Sequence, residues 1–388
     1  MKNIPRIIVI VQAISSYGRG LIRGIARYSR LHGPWSFFSE RGEPQDILPF
    51  LKNWNPNGTI ICTADEKKFK ALIPSDLPTI VIASNGSIAG YPNVLGDLEN
   101  DSKMAAEYFL NLGFRNIAYC GFGNLEWSTI RGKYFSERLA KEGIEVPYYN
   151  KPFLILHKHW QNELEELADW LVSLPKPVAV MACNDERGKH VLEACKIAEL
   201  AVPEQVAVIG VDNDETICEL TQPPLSSIAV NAEKAGYEAA ELLDKMMNGQ
   251  KGPYENIIVQ TMQVVPRQST DILMIEDESV AKAVNFIRLH AKRPLQVEEV
   301  ADTVAMHRRG LERRFKKRLK RSIHEEIRRV RIELIKKLLL ETNMTVSQIS
   351  IQLDFSETPH LTRFFSRETG LSPNEFRKQH IGNLQKTS

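Results

Sequence analysis

Six polar side chains stand in or near segments that link apolar runs to helical patterns: Arg19, Trp127, Arg131, Asp185, Arg187 and Asp212. Loops that follow the strands of an α/β sheet border its ligand crevice, so their chemistry matters. Guanidinium and carboxylate groups are planar and bidentate and match adjacent hydroxyls of a polyol, while the Trp127 ring can cover an apolar sugar face. Asp185 and Asp212 also read as helix N-cap or turn residues, a frequent role for Asp after a strand. A second group, Gly18, Gly20 and Gly24 followed by Glu40, is laid out like a dinucleotide loop with its ribose-binding acid, which makes a nucleotide-dependent α/β enzyme the rival reading. Against it, several residues separate the strand from Gly18, and Arg19 occupies the tight position between glycines. His157 and His159 form an HxH pair with no recognisable third ligand, and no Ser, Cys or Asp constellation for nucleophilic catalysis stands out. The residues point to a binding protein without metal or cofactor, not to an enzyme.

The remaining chemistry is basic and lies towards the C-terminus. In PLQVEEVADTVAMHRRGLERRFKKRL, helical spacing runs from Val297 to Val304 and from His307 to Lys317. Leu311 and Phe315, four apart, face inward, which turns Arg308, Arg309, Glu312 and Arg313 outward on a helix slim enough for the major groove of DNA. Glu312 there either accepts from a cytosine amine or pairs with Arg308. A similar pattern recurs about 50 residues later in MTVSQISIQLDFSETPHLTRFFSRETGLSPNEFR, with Val346, Ile349 and Leu353 on one inner face and Leu361 and Phe365 on the next. Pro359 falls in the first turn, where a missing amide hydrogen costs little, and His360, Thr362 and Arg363 face outward. Charge agrees with this division. Residues 279–388 hold 23 Lys and Arg against 12 Asp and Glu, and the first 278 hold 27 against 36, so a tail near +11 follows a body near −9. An imbalance on that scale suggests a nucleic-acid-binding module beside an acidic partner.

The elements that position these residues follow from periodicity. At 388 residues the chain exceeds what one core supports. β-rich runs alternate with amphipathic stretches over the first 270 residues: RIIVIV, GTIIC, TIVIAS, NIAYCG, PVAVMAC, VAVIGVD and SSIAV, separated by helical patterns. So many strands predict two doubly wound, Rossmann-like lobes with a ligand cleft between them. From about Val280 only helices follow. The predicted domains are a sensor at 1–270, an acidic connector at 271–279 and an all-α DNA-binding domain at 280–388. No apolar stretch approaches the roughly 18 residues that span a bilayer. The short N-terminal apolar run reads as a buried strand, and five scattered cysteines without CxxC spacing fit a reducing cytoplasm.

Two resemblances sharpen this. The segments RRGLERRFKK, LLLETNMTVSQIS and LTRFFSRETGLSPNEFR resemble the AraC family over about 100 residues, the last through its aromatics, Gly370, Pro373 and Phe376-Arg377. That resemblance implies two helix-turn-helix units joined by a long helix around Ile323 to Leu340, with Arg309, Glu312 and Arg313 and then Pro359, His360 and Arg363 at the base-reading positions. His307 stands where the family carries a small hydroxyl cap, and Lys320 and Asp354 stand where it carries glycines. The stretch from VAVMACNDERGKH through VPEQVAVIGVDN to PPLSSIAVN resembles the sugar-binding domain of the LacI and GalR regulators, with Asp97 at the matching position of the first lobe and Arg267 to Thr270 matching the closing strand. A LacI-like sensor ahead of an AraC-like domain resembles the arrangement of bacterial xylose-responsive regulators. It implies a transcription activator controlled by a small sugar, D-xylose or a related aldopentose, acting as a homodimer on operator DNA and touching RNA polymerase. In the first loop that pattern carries a carboxylate beside the Arg, where this chain has Tyr17 and Gly18.

Overall fold

Buried parallel strands need apolar cover on both faces, and the first run supplies it residue by residue. Within Arg6–Ile10 (β1), Ile7 and Val9 pack with Leu21, Ile25, Ile60 and Ile80, whereas Ile8 and Ile10 pack on the opposite face with Ile61, Val81 and Ile88. The computed structural model describes residues 4–11, 13–38, 54–63, 73, 74, 76–83, 86–152, 160–272, 275 and 277–381; Glu40, His157 and His159 lie outside them. Two units result. One comprises the chain to Phe109 and Phe114–Ile272, the other Leu110–Gly113 with everything from Leu273.

The first unit holds two six-stranded sheets. In the first lobe β1 lies between Ser36–Phe38 (β2) and Gly58–Thr63 (β3), followed outward by Thr79–Ala83 (β4), Asn93–Gly96 (β5) and Ile257–Val259 (β11), all parallel. The second lobe repeats the order. Ile117–Phe122 (β6) lies between Tyr148–Lys151 (β7) and Val178–Ala182 (β8), then come Val206–Val211 (β9), Ser226–Val230 (β10) and the antiparallel Thr261–Val265 (β12). In each sheet the order reverses beside the first strand, and the crevice outside the carboxyl ends of the strands at that switch point is where open α/β sheets bind ligands.

Three segments cross between the lobes: β5 into Leu98–Leu112 (α2), β10 into Ala232–Met247 (α7), and β11 into β12. They are bonded to one another, Asp97 N–H to the Val259 carbonyl at 3.3 Å and Asn231 N–H to the Gln260 carbonyl at 2.9 Å, which makes a three-stranded hinge.

The strands that periodicity passed over, β2, β5, β7, β11 and β12, are three to five residues long and mostly half exposed, so they show no apolar run. One expectation is corrected. Residues Gln268–Thr270 form a 3₁₀ turn, not the closing strand, because Ser269 donates to the Val208 carbonyl at 2.7 Å and accepts from Ser226 N–H at 2.8 Å; β12 closes the sheet instead.

The second unit is helical. Glu278–Leu289 (α8), Val297–Thr303 (α9) and Arg308–Leu319 (α10) surround a core of Val284, Ile287, Val300, Leu311 and Phe315. Val346–Gln352 (α12), Thr358–Thr369 (α13) and Pro373–Ile381 (α14) surround Ile349, Leu353, Leu361, Phe365 and Phe376. The long helix Ile323–Glu341 (α11) gives Ile323 and Ile327 to the first core and Ile332, Ile335 and Leu339 to the second, so it fixes one helix-turn-helix against the other. Its start is set by a capping box between Ser322 and Glu325.

Candidate sensor cleft and nucleic-acid interface

After β9 the chain turns through Asp212 and Asn213 with φ of +102° and +48°. Side-chained residues rarely take such values, and they persist only where surroundings enforce them. Here three amides are held from below: Asp212 N–H by the Ile228 carbonyl at 2.9 Å, Asn213 N–H by Ser227 Oγ at 3.0 Å, and Asp214 N–H by Asp185 Oδ2 at 2.6 Å. The turn aims the Asp212 carboxylate at the interlobe crevice, where no hydrogen bond from another described residue reaches it. Burial pushes its carboxyl up to about 7; Arg131 opposes that rise, and Asp101 and Asp214 reinforce it.

Arg131 lies on Glu126–Ala140 (α3) and is buried. Its guanidinium donates to Asp101 Oδ2 at 2.8 Å and to the Cys183 carbonyl, and Trp127 lies 5.4 Å from it as a stacking partner. Asp101, in the first turn of α2, also accepts from Thr261 Oγ1 at 2.7 Å. Tyr17, from the first lobe, completes the group: burial, then the fields of Asp212, Cys62 and Asp101 against that of Arg131, raise its phenol. The first lobe, the hinge and the second lobe thus each contribute a polar group to one small space.

Of the six predicted cleft residues, Trp127, Arg131 and Asp212 are brought together, Arg19 lies where the two lobes meet, and Asp185 and Arg187 are corrected. Asp185 begins Asp185–Ile197 (α5) and points beneath the turn, accepting from Ser227 Oγ and Asp214 N–H; a Cβ at Gly210 would stand 2.2 Å from its Oδ1. Arg187, two residues on and so nearly across the helix, points into the second lobe's interior. There it pairs with Glu163 at 2.7 Å between the rings of Phe122 and Tyr149. Arg19 pairs with Asp214 at 2.7 Å and donates to the carbonyls of Ala13 and Ile14. Tyr17, Asp101 and Asp214 were missed. For Asp101 a signal existed: the helical period that turns Ala105 and Phe109 inward turns Asp101 with them.

The glycines of the rival nucleotide reading have a packing role. Ser15 caps Ser16–His32 (α1) by accepting from Gly18 N–H at 3.1 Å. Gly24 faces α7, where a Cβ would meet the Glu233 carbonyl at 2.0 Å, and a Cβ at Gly236 would meet the Leu21 carbonyl at 2.1 Å. The two helices touch backbone to backbone, which accounts for Gly24 without a phosphate.

In the helical unit Arg309, Arg313 and Arg363 are exposed and have no ion pair with another described residue, whereas Arg308, Arg314 and Arg367 pair with Glu298, Asp277 and Glu368. Pro359 and His360 are exposed beside Arg363. For Glu312 the expected pairing with Arg308 is corrected, because Arg308 is taken by Glu298 and Glu312 Oε2 accepts the Ile323 amide at 3.3 Å, at the start of α11. The departures at Lys320 and Asp354 keep the backbone a glycine would give, with φ of +58° and +53°, and His307 occupies the N-cap without a side-chain cap bond. Arg331 supports the Asp354 turn by donating to the Leu353 carbonyl at 2.8 Å and stacking on Phe355 at 4.4 Å.

Two lobes around a polar crevice, and two helix-turn-helix units on one rigid helix, define a sensor-linked DNA-binding protein. Comparison with known proteins agrees. Residues 106–270 match the periplasmic binding protein-like domain family and residues 300–379 a helix-turn-helix domain family. The xylose operon regulatory proteins of Escherichia coli K12 and Haemophilus influenzae are each 29% identical, over 96% of this chain and 96% and 98% of theirs. A solved xylose-binding transcription activator is 27% identical over 98% of this chain and 99% of its own, with a TM-score of 0.62. The lac repressor dimer on its operator shares the fold of the first unit, at 18% identity over 69% of this chain and 95% of its own, with a TM-score of 0.56. The chain is a DNA-binding transcription regulator, not an enzyme, and a homologue of the xylose operon regulatory proteins along nearly its whole length.

Proposed function

We propose that this regulator is controlled by a small neutral sugar, D-xylose or a related aldopentose, held in the cleft by Asp212, Arg131, Asp101 and Tyr17 with Trp127 at its edge. The observation that carries the reading is the Asp212 turn: a strained backbone supported by three hydrogen bonds holds in the crevice a carboxylate with no hydrogen-bonding partner among the described residues. A carboxylate so held accepts from adjacent hydroxyls, and the buried Arg131 beside it, with an unpartnered Nε, adds donors. The names of the relatives support xylose as the first sugar to try. On the DNA side Arg309, Arg313 and Arg363, exposed and without an ion pair among the described residues, read base edges or phosphates in successive major-groove segments, with Pro359 and His360 beside them. The chain works as a cytoplasmic homodimer on operator DNA, and activation proceeds through RNA polymerase.

The test is a thermal-shift screen of the full chain against aldopentoses and hexoses, since a ligand that binds only the native state raises apparent stability by mass action. A rise with D-xylose or another pentose that vanishes in Asp212→Ala is the expected result. A response that survives intact in Asp212→Ala reduces Asp212 to a turn former.

A further inference from the structure

We infer that Asp214 is the closure latch of the sensor, the residue through which cleft occupancy is converted into lobe closure. This rests on the sugar-regulator reading above. Asp214 belongs to the second lobe, yet its Oδ2 accepts from two groups of the first, the Ser16 amide at 3.0 Å and Arg19 Nη2 at 2.7 Å. The Asp212 carbonyl accepts from Ser16 Oγ at 3.2 Å, so both ends of the Asp212–Asp214 turn grip the start of α1. The turn itself cannot drift, because Asp185, buried beneath it, holds the Asp214 amide and Ser227 at once. Asp214 Oδ1 is buried and has no hydrogen-bond partner among the described residues.

The geometry separates two roles within three residues. Asp212 presents its carboxylate to the cleft and Asp214 presents its own to the facing lobe; because the two share one fixed turn, a ligand that draws the first lobe onto Asp212 also draws Ser16 and Arg19 onto Asp214. Arg19 acts through Asp214, as a positioning residue. The ion pair is half open to solvent on the Arg19 side, 38% exposed against 5% for Asp214, so it can part without stranding a buried guanidinium.

The full chain tests this, with D-xylose as probe and an operator fragment selected from random DNA by the sugar-treated protein. In the wild type, D-xylose changes operator affinity by about 5-fold to 150-fold at fixed salt. Asp214→Asn keeps an acceptor for Ser16 but removes the charge facing Arg19; Arg19→Gln removes the other partner. Each brings the sugar-dependent ratio towards one and leaves sugar-free operator affinity unchanged, and the double variant is no worse than either single, since both act on one contact. If Asp214→Asn does not fold, Arg19→Gln at its more exposed position carries the same comparison. Wild-type ratios in both single variants, or additive losses in the double variant, overturn the latch alone. A wild type that no sugar stabilises or moves on DNA overturns the sugar reading and the latch together.

Discussion

Arg131 in the sensor is 5% exposed and divided between Asp101 and the Cys183 carbonyl, whereas Arg309, Arg313 and Arg363 in the helical unit stand in solvent without an ion partner among the described residues. The same side chain serves two kinds of partner. A small neutral ligand releases few counterions and gains most from donors already desolvated and fixed, so its site is built of groups that hold one another. DNA is a dense line of charge that rewards accessible cations by counterion release. One region stores its specificity in buried geometry, the other in exposure.

The contrast can be broken most forcefully at Asp101. Asp101→Ala leaves Arg131 as a buried charge without its counterion, for a loss of about 3 to 5 kcal/mol of folding stability. Chemical denaturation of the full chain reads it directly, and a loss below about 1 kcal/mol would show that the pair is solvated after all. Arg363→Ala is the opposite case. It is expected to cost about 1 to 3 kcal/mol of binding to a specific site if it reads a base edge, with the thermal midpoint unmoved; an unchanged footprint and affinity at fixed salt would remove it from the interface.

The cleft also holds a carboxyl that titrates near neutral pH. The Asp212 carboxyl lies near 7 in the free protein. Sugar hydroxyls that donate to it favour the ionised form and so lower the value in the complex. Affinity is then full above pH 7 and lost as pH falls through it, by about tenfold between pH 8 and pH 6. Calorimetry across that range checks the slope, and Asp212→Asn is expected to flatten it.

The smallest effect compares the two helix-turn-helix units with each other. Their recognition helices end at equivalent places in left-handed residues, Gly370 at φ +77° and Lys320 at φ +58°. Only Gly370 is the residue that conformation favours. Lys320→Gly is expected to stabilise the chain by about 1 kcal/mol without changing which DNA it selects. Destabilisation on that substitution would mean that the Lys320 side chain has a role of its own.

Periodicity alone located the helical unit's outward face, because four-residue spacing of Leu311 with Phe315 and of Leu361 with Phe365 leaves only one side for Arg309, Arg313 and Arg363. The same reasoning could not separate Asp185 from Asp212. Both follow apolar strands, both fit a turn or a cap, and only the approach of β10 and the φ of +102° sends one downward and the other into the cleft. Arg187 looked like a cleft residue for the same reason and is turned into the lobe by the pitch of its helix.

What the sequence by itself determined is therefore what repeats along the chain: alternating strands and helices for two lobes, helical stripes for two DNA-reading units, and a charge division between them. Those depend on local period and composition, which a linear string contains. Which polar residues meet was decided by tertiary structure, since Tyr17, Asp101, Arg131 and Asp212 are scattered over almost 200 residues and converge only when three hinge crossings fold one sheet's carboxyl edge onto the other's. Burial then altered their chemistry, raising Asp212 and committing Arg131 to Asp101, and burial is a property of the assembled chain.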